Sequence, residues 1–213
     1  MRVPAFLFVL LAAAGCAGPP APVDHDPAPD MRAAPAQSVV TMSGGGEFAP
    51  VEGNASAEAP SGTPAGASPA ASPAASTAVS AAVVYDRKLV PEGAQGSVTV
   101  ESSGGRTRTS LVVEGLLPDH HYGAHLHTRP CGAAPADAGP HYQHHPGQVD
   151  AVSEVWLDFT TDDEGAGRAS AGNDWSLEPT RLPGSLVIHA GPTVTSGPQA
   201  GTAGDRVACL ALR

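Results

Sequence analysis

Aromatic residues are scarce in this 213-residue chain, with two Trp, three Tyr and four Phe. Gly and Pro, at 25 and 22, are abundant instead, and both figures are skewed by the N-terminal part, so the average describes neither half. Basic residues are few: 11 Lys and Arg face 21 Asp and Glu, for a formal charge of −10. Phosphate contacts need clustered Lys or Arg, so an acidic chain without a basic stripe is a poor nucleic-acid binder, and no nucleic-acid partner is expected. No long apolar run is present. The best one, Val3 to Ala14, is interrupted by Pro4 and falls short of the roughly 20 residues that a bilayer-spanning helix needs. No amphipathic stretch is long enough for a convincing helix, and there are only three cysteines, Cys16, Cys131 and Cys209.

What is present at the N-terminus reads as an export signal. Met1-Arg2 carries a positive charge, the apolar run follows, and small residues lead into a cysteine (Ala12-Ala13-Ala14-Gly15-Cys16). Small residues before a Cys resemble the lipobox of bacterial lipoproteins, in which the cysteine is acylated and becomes the new N-terminus. The alternative is a plain secretory signal that contains a Cys. Residues 1–16 are therefore expected to be a signal peptide, with lipid on Cys16 anchoring an exported protein to the outer face of a bacterial cell membrane. With Cys16 acylated, Cys131 and Cys209 remain as an even pair in an oxidising compartment. They are either a disulfide or two buried thiols. A bridge across their 78-residue separation would contribute about 4–5 kcal/mol in the chain-entropy view.

From Ala17 to Thr77 no periodicity survives. Pro, Ala, Ser and Gly dominate, Phe48 is the lone aromatic, and Ser68-Pro69-Ala70-Ala71-Ser72-Pro73-Ala74-Ala75-Ser76 nearly repeats itself. Such a stretch buries too little apolar surface to offset its conformational entropy, so residues 17–77 are expected to be a disordered, fairly extended linker.

The texture changes over residues 78–213. Short β-rich runs alternate with Gly, Pro and Asp turns, at Val79–Tyr85, Ser97–Ser102, Thr107–Glu114, Tyr122–Thr128, Val155–Thr160, Gly167–Ala171, Ser185–His189 and Arg206–Leu212. Apolar residues alternate clearly in Val155-Leu157-Phe159 and Leu111-Val113. Eight short strands imply an all-β sandwich or barrel. Two connections are long, Arg129–Glu154 and Ala190–Asp205, and long loops on a β scaffold often carry function.

Eight of the nine histidines fall between His120 and His189. His125 and His127 sit two apart in a strand, so both rings project from one face. His189 closes another strand, and His141 lies in the first long loop. Imidazoles without thiolate or carboxylate suit Cu(II) or zinc.

The surroundings of these histidines resemble a family. Gly115-Leu116-Leu117-Pro118, Tyr122-Gly123-Ala124-His125-Leu126-His127 and Cys131-Gly132 are similar to the strand and turn that hold two copper ligands in copper–zinc superoxide dismutases. Ala138-Gly139-Pro140-His141-Tyr142 resembles the segment with the bridging histidine, and Ser185-Leu186-Val187-Ile188-His189 the strand ending in the fourth copper ligand. Gly201-Thr202-Ala203-Gly204-Asp205-Arg206-Val207-Ala208-Cys209 resembles the C-terminal signature. The resemblance implies an eight-stranded Greek-key β-barrel, with copper on His125, His127, His141 and His189. It implies catalytic roles for His141 and for Arg206, which would orient the superoxide anion, and a disulfide between Cys131 and Cys209. The implied reaction converts superoxide to oxygen and hydrogen peroxide.

The pattern breaks at zinc. After His141 the chain runs Tyr142-Gln143-His144-His145-Pro146-Gly147-Gln148-Val149-Asp150-Ala151-Val152-Ser153-Glu154, too short for the family's zinc ligands, with the expected aspartate position falling near Val155. The loop after His189 also lacks the acidic residue that links the two metal sites in the family. A copper-only centre is expected. The alternative is a rearranged zinc site using His144, His145, Asp150 or Glu154. Without zinc, the second nitrogen of His141 needs another holder, for which Tyr142, Gln143 and His144 are the candidates. His120 and His121 are expected to be turn residues. The domain is net negative and Ala190–Asp205 has no Lys, so weak electrostatic steering of the anion is expected. The competing function is a copper-buffering lipoprotein of the same fold with little catalysis, and a purely structural sandwich ranks third. Nothing in the sequence sets an oligomeric state.

Overall fold

The computed structural model describes residues 38–50 and 81–213. The expected signal peptide, Cys16 and most of the expected linker lie outside the described residues. Strands β1 (Val40–Glu47) and β2 (Ala49–Pro50) precede β3 (Ala82–Val84), β4 (Gln95–Ser103), β5 (Arg106–Glu114) and β6 (His121–His127). They are followed by β7 (Phe159–Thr160), β8 (Gly167–Asn173), β9 (Ser185–His189) and β10 (Arg206–Ala211). Among the described residues there is no α-helix, only a 3-10 turn at Pro135–Ala138, and no helix long and apolar enough to cross a membrane.

The strands form two sheets. One has the order β1-β4-β5-β8, the other β2-β3-β10-β9-β6-β7. β4 and β5 form a hairpin through the tight turn at Gly104-Gly105, with Ser103 opposite Arg106. Both alternate strictly between exposed and buried positions, so each presents one face to the core. That core gathers Phe48, Val98, Val100, Leu111, Leu126, Leu157, Leu186, Ile188 and Leu210 between the sheets.

β6 and β9 differ, because almost every residue in them is buried. Their inner face, Ala124, Leu126, Leu186 and Ile188, packs into the core. Their outer face lies beneath the long loops. There Val83, Val187 and Cys209 pack with Cys131 and Ala138 of the first loop. The register pairs Gly123 with His189, His125 with Val187 and His127 with Ser185. Three of the singled-out histidines therefore stand on that covered outer face.

Two expectations are corrected. The sheets do not close into a barrel. The edge strands β2 and β7 have two residues each, too few to carry a ladder to the opposite sheet, and Ser43 and Arg213 exchange a local pair of backbone bonds at one corner (3.1 Å each). The expected linker is also wrong over residues 40–50. β1 pairs with β4 along its whole length, from Val40 opposite Ser102 to Glu47 opposite Gln95, and Phe48 is fully buried. β1 owes its order mainly to this backbone ladder, since Met42 is its one buried side chain. Composition alone cannot show a strand of that kind. The eight expected strands each overlap an observed one, and β1 and β2 are additional.

Candidate metal centre

His125, His127, His141 and His189 converge. One ring nitrogen from each lies within 4.8 Å of the others, and among the described residues they are the one such group of three or more His, Cys, Asp or Glu. His125 and His127 are wholly buried and His189 is 4% exposed. His141 comes from the first long loop, which is held to the sheet by a bridge between His141 and His127. The ring centroids of His125 and His141 are 4.3 Å apart.

The outer nitrogens show which lone pairs face inward. Nδ1 of His127 donates to the carbonyl of Gly139 at 2.9 Å, and Nδ1 of His189 to that of Gly204 at 3.2 Å. Nδ1 of His141 donates to Oε2 of Glu154 at 2.8 Å. Nε2 of His125 meets Oγ1 of Thr193 at 2.7 Å. The Thr193 hydroxyl gives its one hydrogen to Oδ1 of Asp158, so it accepts from His125. A neutral imidazole carries one N–H, so all four inward nitrogens present lone pairs.

Burial keeps the rings of His125, His127 and His189 neutral. Desolvation, reinforced by the neighbouring histidines, holds His125 far below the ordinary histidine range. Desolvation likewise lowers His127 to about 2 and His189 to about 4, against the bonds to Gly139 and Gly204 that pull the other way. Nε2 of His127 and Nε2 of His189 have no hydrogen-bond partner, and Nδ1 of His125 faces Nε2 of His141 at 3.1 Å. Buried lone pairs left unpaired or set against one another are costly unless a cation sits among them. The donor set therefore fits a metal ion. Four imidazoles suit copper or zinc.

Glu154 organises the loop side. It is buried, and its carboxylate accepts from His141, from Nε1 of Trp156 at 2.8 Å and from Nε2 of Gln143 at 2.8 Å. Burial raises its carboxyl, but the three donors outweigh burial and leave it below the ordinary carboxylate range. Arg206 lies opposite His189 in the ladder. Its guanidinium donates to the carbonyls of Pro135 and Gly139, both at 2.8 Å. Gly139 thus anchors both His127 and Arg206. A side chain there would collide with Oγ1 of Thr128 at 2.6 Å, and the backbone stands at φ 74°, a conformation glycine adopts freely. The Cys131–Cys209 disulfide, with Cα atoms 5.8 Å apart, ties this loop to β10.

The model of the copper/zinc superoxide dismutase (SODC) family matches residues 94–211, more than half of the chain. The chain belongs to that family. Its matched stretch includes all four converging histidines, both bridged cysteines and Arg206. β1 and β2 lie before it. No curated protein matches the chain.

Other expected site residues are placed elsewhere. Tyr142 points away from His141 and is buried in the core, while His144 stacks on Trp175 with centroids 4.7 Å apart. Neither holds the second nitrogen of His141, and Gln143 reaches it only through Glu154. Asp150 caps a turn, accepting from the backbone of Val152 and Ser153. His144, His145, Asp150 and Glu154 do not come together as a group among the described residues. His120 bonds Ala190 and His121 bonds Thr160, both apart from the cluster. Sequence reasoning missed the partner role of Glu154 and the roles of Trp156, Asp158 and Thr193. A signal for three of these was present: if Val155, Leu157 and Phe159 alternate into the core, Glu154, Trp156 and Asp158 alternate towards the site. A backbone bridge pairs Trp156 with His125.

Proposed function

We propose that this protein is a superoxide dismutase working with a single copper ion held by His125, His127, His141 and His189, outside the cytoplasm. The observation that carries the reading is the set of four inward lone pairs, each fixed by an outer hydrogen bond. Copper bound there would supply the one-electron redox chemistry that turns superoxide into oxygen and hydrogen peroxide.

The residues around it have separable tasks. Arg206, with two donors committed to Pro135 and Gly139, is a fixed positive charge beside His189 that attracts and orients a small anion. His141 can take a proton at Nε2 while Nδ1–H stays on Glu154, whose negative charge stabilises the imidazolium so formed. Glu154 also supports the copper-only reading, because it occupies the nitrogen of His141 that zinc would need. The supporting family membership extends to superoxide as substrate, and the lipobox-like run before Cys16 supports a lipid anchor on the outer face of a cell membrane.

Superoxide decay followed on copper-loaded protein tests the reading. Catalytic decay that disappears in His127→Ala is expected, and decay no faster than that variant would refute it. For the anchor, Cys16→Ala is expected to release the protein into the medium, and an unchanged membrane fraction would refute that part.

A further inference from the structure

His125 is the one ligand of the four whose outer nitrogen is held neither by a backbone carbonyl nor directly by a carboxylate. Its partner is Thr193, in the loop after β9, a residue 7% exposed. Residues 190–204 of that loop contain no Asp or Glu. A carboxylate reaches the site from the other side instead. Asp158, just before β7, accepts the backbone N–H of Thr193 at 2.8 Å and its hydroxyl at 2.5 Å. The loop is pressed onto β6 because position 123 is glycine. The amide of Gly123 donates to the carbonyl of Gly191 at 2.7 Å, and a Cβ there would stand 2.9 Å from that same oxygen and 3.0 Å from Oγ1 of Thr193.

We propose that Thr193 and Asp158 are positioning residues for His125, a hydroxyl–carboxylate clamp that fixes its Nε2–H tautomer and so aims Nδ1 at the metal. A free threonine hydroxyl could either donate to or accept from an imidazole. The carboxylate removes that choice by holding the hydroxyl hydrogen, which leaves only lone pairs towards His125. Asp158 itself is exposed, so the clamp brings the influence of a carboxylate to a buried ligand without burying a second charge beside Glu154. The inference rests on the copper reading for its purpose, but the tautomer it requires belongs to the metal-free protein.

The test reads tautomer and metal separately. In copper-free protein with its disulfide intact, long-range proton–nitrogen correlation spectra should place the His125 proton on Nε2 in wild type and in Thr193→Ser. In Thr193→Val that single-tautomer signature should be lost. Chelator competition should show Cu(II) held about 10–100-fold more weakly by Thr193→Val, with a shifted electron paramagnetic resonance spectrum and rescue by Thr193→Ser. Asp158→Ala, at an exposed position, removes the acceptor of the hydroxyl hydrogen and should move both readouts in the same direction. A Thr193→Val protein with the wild-type tautomer and copper affinity overturns the clamp, and wild-type readouts in Asp158→Ala overturn it even if the valine variant does not fold. Wild-type protein that keeps the Nε2–H tautomer yet binds no copper supports the clamp and overturns the function proposed above.

Discussion

Replacing Glu154 by Gln should weaken copper binding by about tenfold, and replacing it by Leu should weaken it more. In the native site three donors, from His141, Gln143 and Trp156, converge on a buried carboxylate at 2.8 Å each. Glutamine has one oxygen and one amide nitrogen. Its oxygen serves best where Oε2 now stands, because the Trp156 N–H cannot invert. The His141 bond then survives but loses its anionic acceptor. Charge-assisted bonds exceed neutral ones by about 1–1.5 kcal/mol, or roughly tenfold in affinity. The amide then faces Nε2 of Gln143, and that clash falls mainly on folding, since Gln143 could turn only by giving up its bond from the Gly147 amide. Leucine removes the acceptor altogether, leaves the His141 N–H unpartnered, and should cost about 100-fold, the upper end of such effects. Competition against a chelator of known copper affinity measures both variants, with thermal unfolding of the copper-free forms as a check on folding. Affinities within threefold of wild type for both variants would refute the claim that Glu154 holds His141 in its ligating tautomer.

Three further outcomes follow from the fold and the titrating groups. Phe48→Ala should destabilise the domain by about 3–5 kcal/mol, because Phe48 is fully buried; a change below about 1 kcal/mol in denaturant unfolding would show that the segment before residue 51 is not part of the domain. Changing Cys131 and Cys209 together to Ser should cost about 4–5 kcal/mol from the 78-residue separation, and equal midpoints for the two proteins would contradict the bridge's structural role. The copper-free protein should lose stability on acidification: His189 falls from 6.5 to about 4 on folding, so the unfolded chain binds more protons below pH 6.5. That contribution is full above pH 6.5 and declines by about 3 kcal/mol on reaching pH 4. A flat unfolding profile across that window would refute it.

Much of the site was legible because its signals are local. His125-Leu126-His127 needs only strand alternation to put both rings on one face, and the segments ending at His189 and spanning Arg206 carry recognisable neighbours. β4 and β5 were legible for the same reason, as strict alternation around a glycine turn. What failed depends on contacts distant in sequence. β1 has one buried side chain and is ordered by pairing with residues 48 to 62 positions away, so its composition looks like linker. The clamp on His125 joins Asp158 to Thr193, 35 positions apart, and neither residue type announces such a role. Glu154 was weighed only as a zinc ligand, because no sequence rule says that a buried carboxylate will take the far side of a histidine instead.

The central claim, one copper ion on four imidazoles, meets its most direct test in protein titrated with Cu(II) and analysed by electron paramagnetic resonance with metal quantification. Binding that saturates at one copper per chain, with nitrogen hyperfine structure lost or rearranged in His125→Ala, is the predicted result. Saturation at zero, or a spectrum unchanged by His125→Ala, would contradict it.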